Sequence, residues 1–477
     1  MLGMTARPTT PTFAATSEAL WALLRPFGQE HLLAWWDRLS PNERADLAAQ
    51  IQSVDFNRLG RLFRAQRTTE DWAARSLRAE GPPAVRLRGP NPYSAAEAAA
   101  RGREALAAGR VGLVLVAGGQ GTRLGFDHPK GLYPIGPVSK ASLFQILIEK
   151  LVAVGRRNEV AIPLYLMTSP ATRQETVEFL QAHDRFGLPE ADLTVFCQGT
   201  MPAVDAANGK VLLEAPGGMA LSPDGHGGLL AAMDAGGALA DVRRRGIEQL
   251  FYIQIDNPLA TVCDARFIGY HLLAGSEMST QVVAKQAPAD KVGNVVSIDG
   301  QVRIIEYIHL LKEAGEKRLA DGSLRLWAGN IAVHVFDVAL LRRTAAEGGG
   351  LPFHMAQKKV PYLDDQGRLV EPPTENAIKF EQFIFDLLPA ARKPLVVEVD
   401  EATHFAPLKN APGDNRDTHE HVQTAMVALH TDWLQQAGAH VAPGVPVEIS
   451  PRFALDVEEV ARRIKPGLKV LRPTYFE

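Results

Sequence analysis

The apolar positions of the chain change rhythm along its length. Between residues 17 and 80, Trp21, Leu23, Leu24, Leu32, Leu33, Trp35 and Trp36 recur at helical spacings, and Leu47, Ile51 and Phe56 continue an apolar face. Within that stretch Ser40-Pro41-Asn42-Glu43 has the form of a helix start: a capping hydroxyl, Pro in the first turn and Glu three residues after the cap. Gly81–Tyr93 holds four prolines and reads as a boundary. From about residue 95, short Val/Ile/Leu runs alternate with amphipathic stretches. The pattern predicts strands at Gly112–Val116, Pro163–Thr168, Thr194–Cys197, Leu250–Ile255, Thr280–Ala284 and Leu395–Val399. It predicts helices at Ala95–Ala108, Leu143–Val154, Ala171–His183 and Asp264–Ala274. Apolar strands with helices between them imply an α/β sheet. Gly293–Tyr307 is expected to be a hairpin hinged on Asp299-Gly300, and Val422–Ala437 a helix before a short Pro- and Val-rich tail. The expected division is an N-terminal helical region at 1–94, a catalytic domain at 95–405 and a small C-terminal domain at 406–477, with a loose tail at 5–18.

A chain of 477 residues is too long for one simple core. Its 46% hydrophobic and 22% charged residues are those of an ordinary soluble globular protein. The formal net charge is −3, which gives no electrostatic reason to expect nucleic acid or an anionic membrane as partner. Anionic small molecules stay possible, because a local cluster of Lys and Arg does not need a basic whole. Two cysteines, Cys197 and Cys263, cannot build a disulfide framework or a four-ligand zinc site. No apolar run reaches the roughly 18 residues of a membrane span. The N-terminus lacks the basic stretch and apolar core of a secretory signal. A reducing, cytoplasmic setting is expected, with no membrane partner.

The richest segment is Val111–Gly131, VGLVLVAGGQGTRLGFDHPKG. An apolar strand runs straight into Gly118-Gly119-Gln120-Gly121-Thr122-Arg123-Leu124-Gly125, and Lys130 follows five residues later. Glycines let backbone N–H groups approach phosphate oxygens, and Arg123 and Lys130 can neutralise phosphate charge. A dinucleotide fingerprint needs glycine where this chain has Leu124, and a P-loop needs Lys where it has Phe126. A bare glycine turn with surface Arg and Lys is the plain alternative. The order G-G-x-G-T-R-L followed by Pro129-Lys130 instead matches the loop of nucleotide-sugar pyrophosphorylases.

On these residues the chain resembles the UDP-glucose/UDP-sugar pyrophosphorylase family, in its eukaryotic-type UDP-N-acetylglucosamine branch. The resemblance runs in order through Gly28–Leu39, Val116–Gly136, Phe196–Val204, Leu221–Leu229, Gln254–Tyr270, Ala328–Phe336, Phe353–Tyr362, Ile378–Asp386 and Ala406–Asn410. It implies an α/β, Rossmann-like nucleotide-diphospho-sugar transferase (GT-A-like) fold, a mixed sheet flanked by helices. It also implies a uridylyltransferase making UDP-N-acetylglucosamine and pyrophosphate from UTP and N-acetylglucosamine 1-phosphate by in-line attack, the substrates being UTP and a hexose 1-phosphate. A divalent ion, Mg²⁺ or Mn²⁺ in its place, would bridge the phosphates.

Role by role, the resemblance makes Arg123, Lys130 and Lys409 the phosphate-contacting catalytic cations and Asp256 the metal-binding carboxylate. Gly118, Gly119, Gly121, Gln198, Gly225 and His226 hold the nucleotide. Gly293, Glu306, Asn330 and Phe383 hold the sugar. Several of these have plainer readings: Asp256-Asn257-Pro258 as a turn after a strand, Glu306 as a solvated strand end and Lys409 as surface; Phe385, which the resemblance pairs with Phe383 near an acetamido pocket, has the plain reading of core. His226 departs from the branch, which usually has Asn there, and points toward glucose or broad sugar specificity. The competing function classes are a nucleotide-dependent oxidoreductase, disfavoured by the broken fingerprint, and a non-catalytic UDP-sugar sensor, disfavoured by the full set of phosphate ligands.

Overall fold

The computed structural model describes residues 16–65, 72–346 and 350–477. Of the loose tail expected at 5–18, residues 5–15 lie outside the described part, and Thr16 caps a helix, Ser17–Leu24. The described residues fall into two compact units. The larger combines Asp71–Gln198, Gly228–Leu351 and Ile384–Glu477, and the smaller combines Met1–Glu70, Gly199–Gly227 and Pro352–Phe383.

The larger unit is built on a nine-stranded mixed sheet. Its strands are β1 (Val111–Val116), β2 (Leu164–Thr168), β3 (Leu193–Cys197), β4 (Gln249–Gln254), β5 (Met278–Ala284), β6 (Asn294–Ile298), β7 (Gln301–Ile305), β8 (Ala328–Asp337) and β9 (Leu395–Glu398). The order is β7-β6-β8-β4-β1-β2-β3, with β5 pairing β8 and β9. β4, β1, β2 and β3 run parallel, so their carboxyl ends share one edge. Strands covered on both faces carry continuous apolar runs, as in the VGLVLV of β1, whose first five residues are all buried. Every strand expected from the sequence is present, and β6 and β7 form the expected hairpin around Asp299-Gly300.

β8 was not expected as a strand, although it pairs with β4, β5 and β6. Its Gly329-Asn330 start reads locally as a breaker. Its register against β5 slips, because Thr280 faces His334 while Val282 faces Asn330. Ala332 inside the slip has a φ of 56°. A bulge of this kind re-aims the side chains beside it, and Asn330 is one of them.

The flanking helices are α1 (Ala95–Ala107), α2 (Leu143–Arg157), α3 (Ala265–Ala274) and α4 (His419–Gln436). Each begins on a side-chain cap, from Ser94, Ser142, Asp264 and Thr418 respectively, which satisfies an orphan backbone donor. α1 and α3 touch backbone to backbone. A Cβ on Gly102 would fall 1.7 Å from the Ala265 carbonyl oxygen, and one on Gly269 would fall 1.7 Å from that of Ala98. Only glycine allows that approach.

Beyond α4 the chain keeps a small core of its own around Leu434, Val447, Ile449, Val460 and Val470. Val422 and Met426 of α4 belong to the main core, and this C-terminal segment groups with the larger unit.

In the smaller unit Ser40 and Glu43 form the expected reciprocal capping box. Leu24, Leu32 and Leu33 are buried, whereas Trp21 and Leu23 are exposed, and Glu30–Leu33 and Trp36–Arg38 are tight 3₁₀ turns. The apolar face of these helices packs on Val204, Val211, Ile378 and Phe380. Phe353–Lys358, Ala377–Gln382 and Val204–Asp205 form a three-stranded antiparallel sheet there. The structure therefore replaces the expected division into three consecutive segments with a discontinuous one. The reason is burial: the face of the N-terminal helices is closed by strands from two later parts of the chain. Among the described residues no helix is long and apolar enough to cross a membrane.

The α1–α3 contact yields a test. Gly269→Ala forces a methyl group into the Ala98 carbonyl and is expected to destabilise the fold by about 3 kcal/mol, read as a lower urea midpoint at unchanged slope.

Candidate active site

The glycine loop follows β1 at the carboxyl edge of the parallel strands, where open α/β sheets bind ligands. Ala117 continues the ladder by donating its N–H to the Met167 carbonyl at 2.8 Å. A Cβ on Gly118 would lie 2.8 Å from Gln198 Oε1, so this glycine is what lets the Gln198 amide lie against the loop. Gln198 follows β3, is 8% exposed, and is held by its N–H donating to the Thr168 carbonyl at 2.9 Å. Gly119 faces open space, and Gly121 is crowded by the Phe126 carbonyl 2.6 Å from its would-be Cβ. The loop then doubles back: Gly121 N–H donates to the His128 carbonyl at 2.9 Å and Lys130 N–H to the Gly119 carbonyl at 3.0 Å.

Lys130, Asp256, Lys409 and Arg123 form one charged group. Burial pulls the Lys130 ammonium below the usual lysine range, the Asp256 carboxylate opposes that pull, and Lys409 and Arg123 add to it. Lys130 Nζ donates to the Leu408 carbonyl at 3.3 Å. Three cations facing one carboxylate leave an excess of positive charge beside the glycine loop.

Backbone and amide hydrogen bonds hold the group together. Leu408 N–H donates to the Asp256 carbonyl at 2.8 Å. Asn257, 4% exposed, donates from Nδ2 to the His404 carbonyl at 2.8 Å. Its Oδ1 accepts from Ala406 N–H at 3.1 Å and Leu259 N–H at 3.2 Å. The loop after β4 is thereby clamped to the segment that carries Lys409. In the sequence Asn257 reads as part of a turn; an Asn directly after the Asp that follows a strand is the one local signal it leaves.

A second cluster brings together the expected sugar residues of this unit. The would-be Cβ of Gly293 lies 3.2 Å from Glu306 Oε1 and 3.7 Å from Asn330 Cβ. Asn330 N–H donates to the Gly293 carbonyl at 2.8 Å, and Ala332 N–H donates to Asn330 Oδ1 at 3.1 Å. β6, β7 and β8 supply the frame.

Gly225, His226 and Phe383 belong to the smaller unit. Gly225 has a φ of 85°, and a Cβ there would lie 2.4 Å from the Gln382 carbonyl oxygen. The His226 ring lies 5.4 Å from that of Phe383, and His354 lies 4.6 Å from it on centroids. The structure thus joins His226 and Phe383, which the resemblance gives to nucleotide and sugar respectively. Burial, with help from His354, pushes the His226 pKa down to about 4. Phe385 belongs to the larger unit, buried with Ile384, Leu387 and Leu388 in a 3₁₀ turn. Among the described residues no group of three or more His, Cys, Asp or Glu side chains could hold a metal ion by itself.

Two outcomes follow from these contacts. Asn257→Ala leaves three backbone groups without their partner and is expected to cost roughly 1–3 kcal/mol, measured by urea unfolding. Asp224 is the second case: burial raises its carboxyl to about 6 from 3.8. The folded chain then binds more protons than the unfolded one between those values, so stability falls as pH rises through that window. Asp224→Asn should stabilise the protein by roughly 1–3 kcal/mol at pH 8 and hardly at all at pH 3.5, measured by unfolding at both pH values.

Residues 87–469 match the family model described as UTP--glucose-1-phosphate uridylyltransferase. The chain is 40% identical over 368 residues to UDP-N-acetylglucosamine pyrophosphorylase of Saccharomyces cerevisiae, covering 76% of this chain and 77% of that protein. It is 37% identical over 447 residues to human UDP-N-acetylhexosamine pyrophosphorylase-like protein 1, covering 89% and 87%. The crystal structure of the Trypanosoma brucei uridine diphosphate N-acetylglucosamine pyrophosphorylase with an inhibitor is similar at a TM-score of 0.81 and 26% identity, over 96% of this chain and 98% of that one. With the glycine loop, its cations and the mixed sheet in place, the chain belongs to the UTP–glucose-1-phosphate uridylyltransferase family.

Proposed function

We propose that the protein is a uridylyltransferase that makes UDP-N-acetylglucosamine and pyrophosphate from UTP and N-acetylglucosamine 1-phosphate. The observation that carries this reading is the grouping of Arg123, Lys130 and Lys409 with Asp256 beside Gly118–Gly121. A phosphate oxygen of the sugar 1-phosphate attacks the α-phosphorus of UTP in line. One P–O bond forms, the bond to the β-phosphate oxygen breaks, and pyrophosphate leaves. Such a transfer needs no covalent nucleophile, only position and charge neutralisation. Arg123, Lys130 and Lys409 supply cations for the oxygens on which charge builds. The Gln198 amide can both donate to and accept from the edge of uracil. Glu306, beside Gly293 and Asn330, is suited to accept from sugar hydroxyls.

Asp256 fits a hard divalent cation of the kind that takes one or two protein carboxylates and completes its shell with phosphate oxygens and water. Mg²⁺, or Mn²⁺ in its place, would supply further neutralisation of phosphate charge. The substrates are small anions, and a cytoplasmic setting agrees with the two free thiols, Cys197 and Cys263.

One observation favours a second reading of the sugar. His226 abuts Phe383, so the histidine that departs from the N-acetylglucosamine branch touches the aromatic assigned to the sugar. Through that contact the enzyme would also accept glucose 1-phosphate.

Release of pyrophosphate from UTP and N-acetylglucosamine 1-phosphate in the presence of Mg²⁺ tests the reaction; no turnover with any hexose 1-phosphate overturns it. Arg123→Ala and Lys130→Ala should each slow turnover by roughly 100-fold or more, with unfolding midpoints near that of the native chain. Asp256→Asn should raise the Mg²⁺ concentration needed for half-maximal rate. For the sugar, His226→Asn should shift the kcat/KM ratio about tenfold toward N-acetylglucosamine 1-phosphate. An unchanged ratio with an altered KM for UTP places the histidine with the nucleotide instead.

A further inference from the structure

A cavity of about 730 Å³ lies within the larger unit, apart from the glycine loop and the sugar cluster. α1, α2, the loop after β4, α4 and the C-terminal segment all contribute to its wall. None of Arg123, Lys130, Asp256, Lys409, Gly293, Glu306 or Asn330 lines it. Its size is that of a small-molecule site. Leu106, Met426, Trp433 and Leu455 give it an apolar body.

Its charged lining is unevenly committed. Glu448 accepts from Val138 N–H, Ser139 N–H and Ser139 Oγ–H. Asp456 accepts from Glu459 N–H and pairs with Arg157. Glu149 pairs with Arg452, and Asp264 caps α3. Lys150 is different. Its Nζ donates to the carbonyls of Pro258 at 2.6 Å and Ala260 at 3.1 Å. An ammonium has three N–H groups, so one is left for the cavity. Among the described residues no carboxylate lies within ion-pair distance of Lys150, nor of Arg103 and Arg462 at the same wall. Burial without a counter-ion pulls the Lys150 pKa down to about 8. Glu448, Asp456, Glu149 and Asp264 are thus held in internal bonds, Glu458 is exposed at the rim, and Lys150 stands beside the apolar space without a carboxylate partner.

We propose that this cavity is a second ligand site, for an organic anion: a carboxylate, sulfonate or phosphate ester on an apolar body. The anion answers Lys150 and Arg103, and the apolar part lies against Leu106, Met426 and Trp433. The carbonyls held by Lys150 belong to the loop that follows Asp256, so an occupant that draws on the ammonium pulls on that loop. Binding itself does not rest on the catalytic reading above; only an effect on turnover would.

The probe is 8-anilinonaphthalene-1-sulfonate, titrated by fluorescence and calorimetry into the full-length chain. One saturable site is expected, with affinity weakened about tenfold or more by Lys150→Met and several-fold by Arg103→Ala, and with the probe not displaced by saturating UTP. Arg103 is exposed, so Arg103→Ala decides the matter if Lys150→Met does not fold. Displacement by UTP, equal affinity in the native and variant chains, or the absence of a saturable site each overturns the proposal. Because this readout needs no turnover, a protein inactive as a uridylyltransferase could still bind the probe, and an active one could still fail to.

Discussion

The hydrogen bond from Leu408 N–H to the Asp256 carbonyl, reinforced by the buried Asn257 amide, is the constraint on which the candidate site depends. Lys130, Lys409 and Arg123 repel one another, and a single carboxylate cannot compensate all three. Left to electrostatics, the group would spread into water, where its charges are well solvated. A preorganised anion site requires that this cost be met before the anion arrives. Here neutral amide bonds meet it by tying two distant parts of the chain together near the carboxyl edge of the sheet. Such bonds are insensitive to the charge state of the ligands they frame.

Close backbone approach is the second device, and it recurs at separate levels. Gly118 lets Gln198 lie against the glycine loop, Gly102 and Gly269 let α1 meet α3, and Gly225 sits against the strand ending at Gln382. At Gly102, Gly269 and Gly225 the crowding atoms are backbone and leave no space for a methyl group, whereas at Gly118 a methyl group would displace the Gln198 amide. The first governs the site directly. The second fixes α3, which begins a few residues beyond Asp256 on the same loop.

The buried ionisable groups divide by what surrounds them. Lys130 is buried beside a carboxylate and two other cations, as suits a residue whose partner is an anionic substrate. Lys150 is buried with two carbonyls as its hydrogen-bond partners and His430 nearby, and no carboxylate pairs with it. His226 and Asp224 flank Gly225 and are both pushed by burial toward their neutral forms, the histidine to about 4 and the aspartate to about 6. Around neutral pH the histidine is therefore uncharged, and its contact with Phe383 is one of packing.

The strands and helices of the larger unit were legible in the sequence because parallel strands buried on both faces write continuous apolar runs, as β1 and β4 do, and because caps such as Ser40 and Ser94 are local. The glycine loop was legible for the same reason, since its chemistry is packed into one short segment. β8 was not, because its strand character comes from three neighbours and Gly329-Asn330 near its start reads as a breaker. The strands Phe353–Lys358 and Ala377–Gln382 were missed likewise: the first is only partly covered, and in the second Lys379 and Glu381 alternate with Ile378 and Phe380, so neither writes a continuous apolar run. The interleaving of the two units was invisible, since it depends on which distant strand closes the apolar face of the N-terminal helices. Sequence alone thus determined the local elements, the glycine loop and the family resemblance. Only the tertiary structure decided that Lys409 stands by Lys130, that Gly293, Glu306 and Asn330 converge, and that His226 touches Phe383, because these pairings join residues far apart in the chain and no local propensity encodes them.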